Sequence, residues 1–142
     1  MDRRTILVVD DDTEMRALLT EVLSREGYLV EEAANGTEAL SRLRTNSFAA
    51  IIMDKNLPGL GGLYLLSGLR MVCHETPVIL ITTLADSASY LEGLKKGAFE
   101  YVFKPFRIEE LLRVLRRALL SEDRPGSSSL VPGGARPNEP GQ

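Results

Sequence analysis

The sequence predicts an α/β protein, a parallel sheet covered on both faces by helices. Apolar runs of a few residues alternate five times with stretches that are apolar at helical spacing. The runs carry no internal polar residue, as strands buried on both faces require. Two of them, Ile6-Leu7-Val8-Val9 and Ala49-Ala50-Ile51-Ile52-Met53, end on carboxylates, Asp10-Asp11-Asp12 and Asp54. Parallel strands joined by right-handed crossovers bring such ends to one edge of the sheet, and that edge is where open α/β sheets bind ligands.

Each element has its own signal. After the first strand, Met15, Leu18, Leu19, Val22 and Leu23 mark a helix over 13–26, with Gly27 placed as its C′ residue. Tyr28-Leu29-Val30 is a short second strand, and Asn35-Gly36 turns into a helix carrying Ala39, Leu40 and Leu43. Phe48 to Met53 is the third strand, followed by a helix with Leu63, Leu66 and Leu69. Pro77 introduces Val78-Ile79-Leu80-Ile81, and a helix over 86–97 with Ala88, Leu91 and Leu94 closes at Gly97. Tyr101-Val102-Phe103 is the fifth strand. Pro105 breaks it, and Ile108, Leu111, Leu112 and Leu115 line a last helix over 108–120.

The 142 residues suit one domain with a real core, expected over 1–120. Residues 121–142 hold four of the seven prolines with four glycines and four serines, too little apolar surface to offset ordering entropy, so they read as a disordered tail or linker. A net charge of −3 argues against a nucleic-acid footprint on this chain. No apolar stretch approaches the ~20 residues that span a bilayer, so no membrane is expected as a partner. The run after Met1-Asp2-Arg3-Arg4 is too short for a signal-peptide core. The one cysteine, Cys73, cannot form an intrachain disulfide and reads as structural. That usage fits a reducing compartment, and the expected localisation is cytoplasmic.

The strand-end edge carries the chemistry. Thr82 ends the fourth strand and Lys104 the fifth, so both converge with Asp10, Asp11 and Asp54. Like charges ~4 Å apart repel by ~4 kcal/mol at an effective dielectric of ~20, which a cation would offset. Carboxylates with a backbone carbonyl and waters suit Mg²⁺. A carboxylate beside such an ion and a lysine can attack phosphorus to give an aspartyl phosphate, and a hydroxyl and an ammonium group can hold the phosphoryl oxygens. Asp12 is better placed to cap the first helix than to bind metal. His74, the only histidine, lies away from this edge and reads as an exposed loop residue.

Over residues 5–120 the chain resembles the receiver domain of bacterial two-component response regulators, the CheY-like family. Asp10-Asp11 resembles the family's metal-binding acids, and Asp54-Lys55-Asn56-Leu57-Pro58 its phosphoacceptor segment. Thr82 matches the switch hydroxyl, Lys104-Pro105-Phe106 the lysine-proline segment with its typically cis bond, and Tyr101 the switch aromatic. The resemblance implies a doubly wound, flavodoxin-like (βα)5 three-layer sandwich with strand order 2-1-3-4-5. It implies Mg²⁺ on Asp11, Asp54 and the backbone carbonyl of Asn56, with Asp10 acting through a water of the ion's shell, and no organic cofactor. It implies a phosphoryl donor on a sensor histidine kinase or phosphotransfer protein, and no enzymatic turnover beyond the domain's own phosphorylation and dephosphorylation. Phosphorylation-dependent homodimerisation through residues 86–117 is a further expectation, and contact with nucleic acid is expected only through an output domain outside this chain.

Two departures from the family pattern stand beside these matches. Gly61-Gly62 replaces an acid followed by glycine, and Thr83 replaces a smaller residue, which is expected to crowd Asp54 and slow phosphoryl exchange. Rival readings fail on particular residues. A phosphatase of the haloacid dehalogenase type needs Thr or Val where Glu14 follows Asp10-Asp11-Asp12-Thr13, and a dinucleotide site needs a third glycine that Gly59-Leu60-Gly61-Gly62-Leu63-Tyr64 lacks. A degenerate docking module would lack an essential acid, Thr82 or Lys104, and all are present.

Overall fold

The computed structural model describes residues 4–58, 62–72 and 75–123. Gly61, Cys73, His74 and the segment 124–142 lie outside the described residues. Five strands, β1 (Thr5–Val9), β2 (Leu29–Ala33), β3 (Ala50–Asp54), β4 (Val78–Thr83) and β5 (Glu100–Lys104), form one parallel sheet in the order β2-β1-β3-β4-β5. The helices are α1 (Thr13–Arg25), α2 (Gly36–Thr45), α3 (Gly62–Val72), α4 (Tyr90–Lys95) and α5 (Ile108–Asp123). This is the doubly wound three-layer sandwich that the alternating pattern predicts.

Strand side chains alternate between faces, and the core divides accordingly. Ile6, Val8, Ile52, Ile79, Ile81 and Val102 pack on one face with Leu19 and Leu23 of α1 and Leu111 and Leu115 of α5. Leu7, Val9, Ile51, Met53, Leu80 and Tyr101 pack on the other with Ala39 and Leu43 of α2 and Leu65, Leu66 and Leu69 of α3. Among the described residues no helix is long and apolar enough to cross a membrane.

Local chemistry sets the boundaries. Asp12 caps α1, its carboxylate accepting from the Glu14 and Met15 amides at 2.9 and 3.3 Å. Asn35 caps α2 by accepting from Glu38 N. Gly27 and Gly97 follow helix ends with φ of +97° and +111°, a left-handed conformation that costs glycine least.

The third strand starts at Ala50 rather than Phe48 and runs on to Asp54, and three further expectations need correction. The second strand runs past Val30 to Ala33, because Glu31 and Glu32 on this edge strand find partners, Arg42 and Asn46 for the first, Arg16 and Thr20 for the second. The helix expected over 86–97 is a 3-10 segment (Leu84–Ser89) followed by α4. Ser89, where the two segments meet, offers α4 no side-chain cap. The last helix continues three residues beyond Leu120 to Asp123, since extending a formed helix adds a hydrogen bond per residue fixed.

Candidate functional site

Strand register assembles the site. Val9 pairs with Met53, so Asp10 emerges beside Asp54, while Asp54 pairs with Ile81 and Thr83 with Lys104. Asp10, Asp54 and Thr82 are buried, with exposures of 1, 7 and 1%. Asp11 is exposed. One carboxylate oxygen from each of Asp10, Asp11 and Asp54 falls within 4.8 Å of the others.

Each carboxylate has a defined neighbourhood. Asp10 Oδ1 accepts from Asp12 N at 2.8 Å, whereas its Oδ2 is buried with no hydrogen-bond partner among the described residues. Burial raises the Asp10 pKa above the ordinary carboxylate value, and the charges of Asp54 and Asp11 add to that rise. The Asp12 amide and Lys104 oppose it. Asp54 Oδ1 accepts from Asn56 N at 2.8 Å, and its Oδ2 pairs with Lys104 Nζ at 3.2 Å. A buried, partnerless carboxylate oxygen beside two further acids is a hard-oxygen donor set, and it fits a divalent cation such as Mg²⁺. Asp12 stays in its capping role.

Some contacts were not legible in the sequence. The Asn56 side chain donates to Thr82 Oγ1 at 3.4 Å, tying the acceptor turn to the end of β4. Arg16 donates to the Asp10 carbonyl at 2.7 Å. An arginine one turn into the helix after an acid cluster is a weak signal, since most such residues face solvent. Thr83 is exposed at the strand end, and the Lys104–Pro105 peptide bond is cis.

Tyr101 lies apart from the acids, 5% exposed, in the core under α4. Its hydroxyl donates to the Ser89 carbonyl at 3.2 Å, and its ring meets Tyr90 edge-on at 5.2 Å and stacks on Phe103 at 5.8 Å. The hollow it fills exists because residue 93 is glycine. A Cβ there would overlap the Tyr101 hydroxyl and sit 2.7 Å from ring atoms Cε1 and Cζ. Gly93→Ala is therefore expected to displace the ring and cost about 1–3 kcal/mol, as overpacking typically does. Thermal unfolding and tyrosine nitration mapped by mass spectrometry check this; an unchanged midpoint with Tyr101 still protected would refute it.

The family model of the response regulator receiver domain matches residues 6–116. The chain belongs to the response regulator receiver family. Among curated proteins it is 41% identical over 119 residues to the uncharacterized transcriptional regulatory protein YkoG of Bacillus subtilis, covering 84% of this chain and 52% of that one. It is 32% identical over 133 residues to the transcriptional regulatory protein SrrA of Staphylococcus aureus, covering 89% and 55%. The chain thus spans about half the length of these curated relatives. Among solved structures, the chemotaxis response regulator CheY4 of Vibrio cholerae superposes with a TM-score of 0.78 at 35% identity, covering 83% of this chain and all of that one. The family is a regulatory signalling domain of two-component systems, with the (βα)5 architecture found here.

Proposed function

We propose that Asp54 is the phosphoacceptor of this receiver domain. The observation that carries the reading is the Lys104–Asp54 ion pair at the buried edge, with Thr82 linked through Asn56 to the same turn. An Asp54 carboxylate oxygen forms a bond to phosphorus as the bond to the donor's imidazole nitrogen breaks, and the nitrogen keeps the electron pair. The donor is a phosphohistidine on a sensor histidine kinase or phosphotransfer protein. Lys104 passes from the carboxylate to the phosphoryl oxygens, and the Thr82 hydroxyl donates to one of them. Asp10, Asp11, Asp54 and the Asn56 carbonyl would hold Mg²⁺. Bound there, the ion supplies positive charge to offset the acids and the incoming phosphoryl oxygens.

The output follows from a shift between two conformations, to the extent that the phosphoryl group interacts differently with each. Thr82 and Tyr101 are the proposed switch residues. Because Tyr101 is already buried under α4, the shift acts on a position that is partly set beforehand. The face made by the 3-10 segment, α4, β5 and α5 carries exposed Lys95, Lys96, Arg113, Arg116 and Arg117 beside Glu92 and Glu109. Mixed charge of this kind suits salt-bridged pairing with a second copy through residues 86–117. The domain works in the cytoplasm, and contact with nucleic acid belongs to an output segment outside this chain, as the relatives' names suggest.

Incubation with acetyl phosphate, with and without a Mg²⁺ chelator, followed by intact mass spectrometry tests the acceptor chemistry. A single phosphoryl group gained only with Mg²⁺ is expected, and equal gain in excess chelator refutes the metal's part. Sedimentation of the same samples reads the association.

A further inference from the structure

We propose that Arg16 is a positioning residue for the metal-ligating acids, held in place by Glu32 and Thr20. Its Nη1 donates to the Asp10 carbonyl at 2.7 Å while its Nε pairs with Glu32 Oε1 at 3.1 Å. The other Glu32 oxygen accepts from the Thr20 hydroxyl at 2.8 Å. The planar guanidinium thus spans from α1 to the edge strand β2 with fixed geometry, which a lysine cannot reproduce.

The contact matters because of where the Asp10 carbonyl lies. The peptide group that carries it also carries the Asp11 amide, and this group is planar. Fixing the carbonyl therefore sets the plane from which the Asp11 side chain departs. The Asp10 amide is fixed from the other side by Ala33 O at 3.1 Å, and Oδ1 by Asp12 N at 2.8 Å. These bonds hold the Asp10 backbone and Oδ1, and Oδ2 is left buried without a partner among the described residues in a residue that clusters with Asp11 and Asp54. Arg16 acts on the ligands through the backbone and touches no reacting atom. The plainer view is that Arg16 and Glu32 form a strap between α1 and β2. Their side chains are 17 and 39% exposed, and surface pairs of that kind contribute little to stability.

The inference rests on the acid cluster being a metal site, and the test separates the two. Mn²⁺ binding is followed by loss of the free-ion paramagnetic resonance signal, with Mg²⁺ as competitor, in the wild type, Arg16→Gln, Glu32→Gln and Arg25→Gln. Partners that orient ligands typically change metal affinity by 10–100-fold when lost. Arg16→Gln is expected to weaken Mn²⁺ and Mg²⁺ by about tenfold and Glu32→Gln by about threefold, with phosphorylation from acetyl phosphate recovered at saturating Mg²⁺. Arg25→Gln removes an exposed pair with Glu21 on the same helix and should leave affinity unchanged. Wild-type affinity in Arg16→Gln, whatever its unfolding temperature, would reduce the contact to a strap and overturn the inference. If Arg16→Gln does not fold, unchanged affinity in Glu32→Gln overturns it instead. Absence of Mn²⁺ binding in the wild type overturns the metal site itself, and the inference with it.

Discussion

Asp54→Asn is expected to gain no phosphoryl group from acetyl phosphate under conditions where the wild type gains one. The amide keeps the size of the side chain and an oxygen that can still accept from Asn56 N, now at 2.8 Å. It loses the charge and electron pair that make the carboxylate a nucleophile. The fold should survive. Lys104 loses its partner, but its side chain is 31% exposed and water replaces much of what is lost, so the cost is about 1 kcal/mol or less. Intact mass spectrometry reads the phosphoryl group, and thermal unfolding confirms the fold. Phosphorylation of the variant at a rate comparable to the wild type would move the acceptor to another acid, with Asp10 and Asp11 the nearest.

Asp10→Asn is expected to stabilise the metal-free protein while weakening its metal affinity. Burial is the largest cause of the raised Asp10 pKa, with the charges of Asp54 and Asp11 adding to it. A carboxylate whose pKa is raised on folding binds its proton more tightly in the folded state, so its ionised form opposes folding at neutral pH. Stability contributed by this group should therefore rise as pH falls through the folded-state pKa and level off below the ordinary carboxylate value, and the uncharged asparagine should remove that dependence. Asparagine can still accept from Asp12 N, so the turn into α1 is preserved. Like charges ~4 Å apart at an effective dielectric of ~20 repel by ~4 kcal/mol, and Lys104 already offsets a part, leaving a gain on the order of 2 kcal/mol. For a domain of this size that corresponds to roughly 5–10 °C in the unfolding midpoint. Stability given up for function is common at sites that gather like charges. Calorimetry without divalent ions, then with Mg²⁺, reads both effects; a lower midpoint in the metal-free variant would mean that ionised Asp10 supports the fold.

By itself the sequence determined the order of elements, the strands that end in acids and the capping of α1 by Asp12. Those features depend on neighbours in the chain: apolar runs such as Ile6 to Val9, helical spacing such as Leu19 and Leu23, and a carboxylate two or three residues from the amides it caps. Convergence of Asp10, Asp54, Thr82 and Lys104 was also legible, because parallel strands must present their ends at one edge. Tertiary structure alone decided the rest. Whether Arg16 meets solvent or the Asp10 carbonyl depends on how α1 lies against β2, sixteen residues away at Glu32. Tyr101 is buried because Gly93, on a different element, leaves a hollow of the right shape. The 3-10 segment before α4 adjoins that same packing through Ser89. Contacts of this kind depend on the register and direction of side chains from separate elements, and no local pattern encodes them.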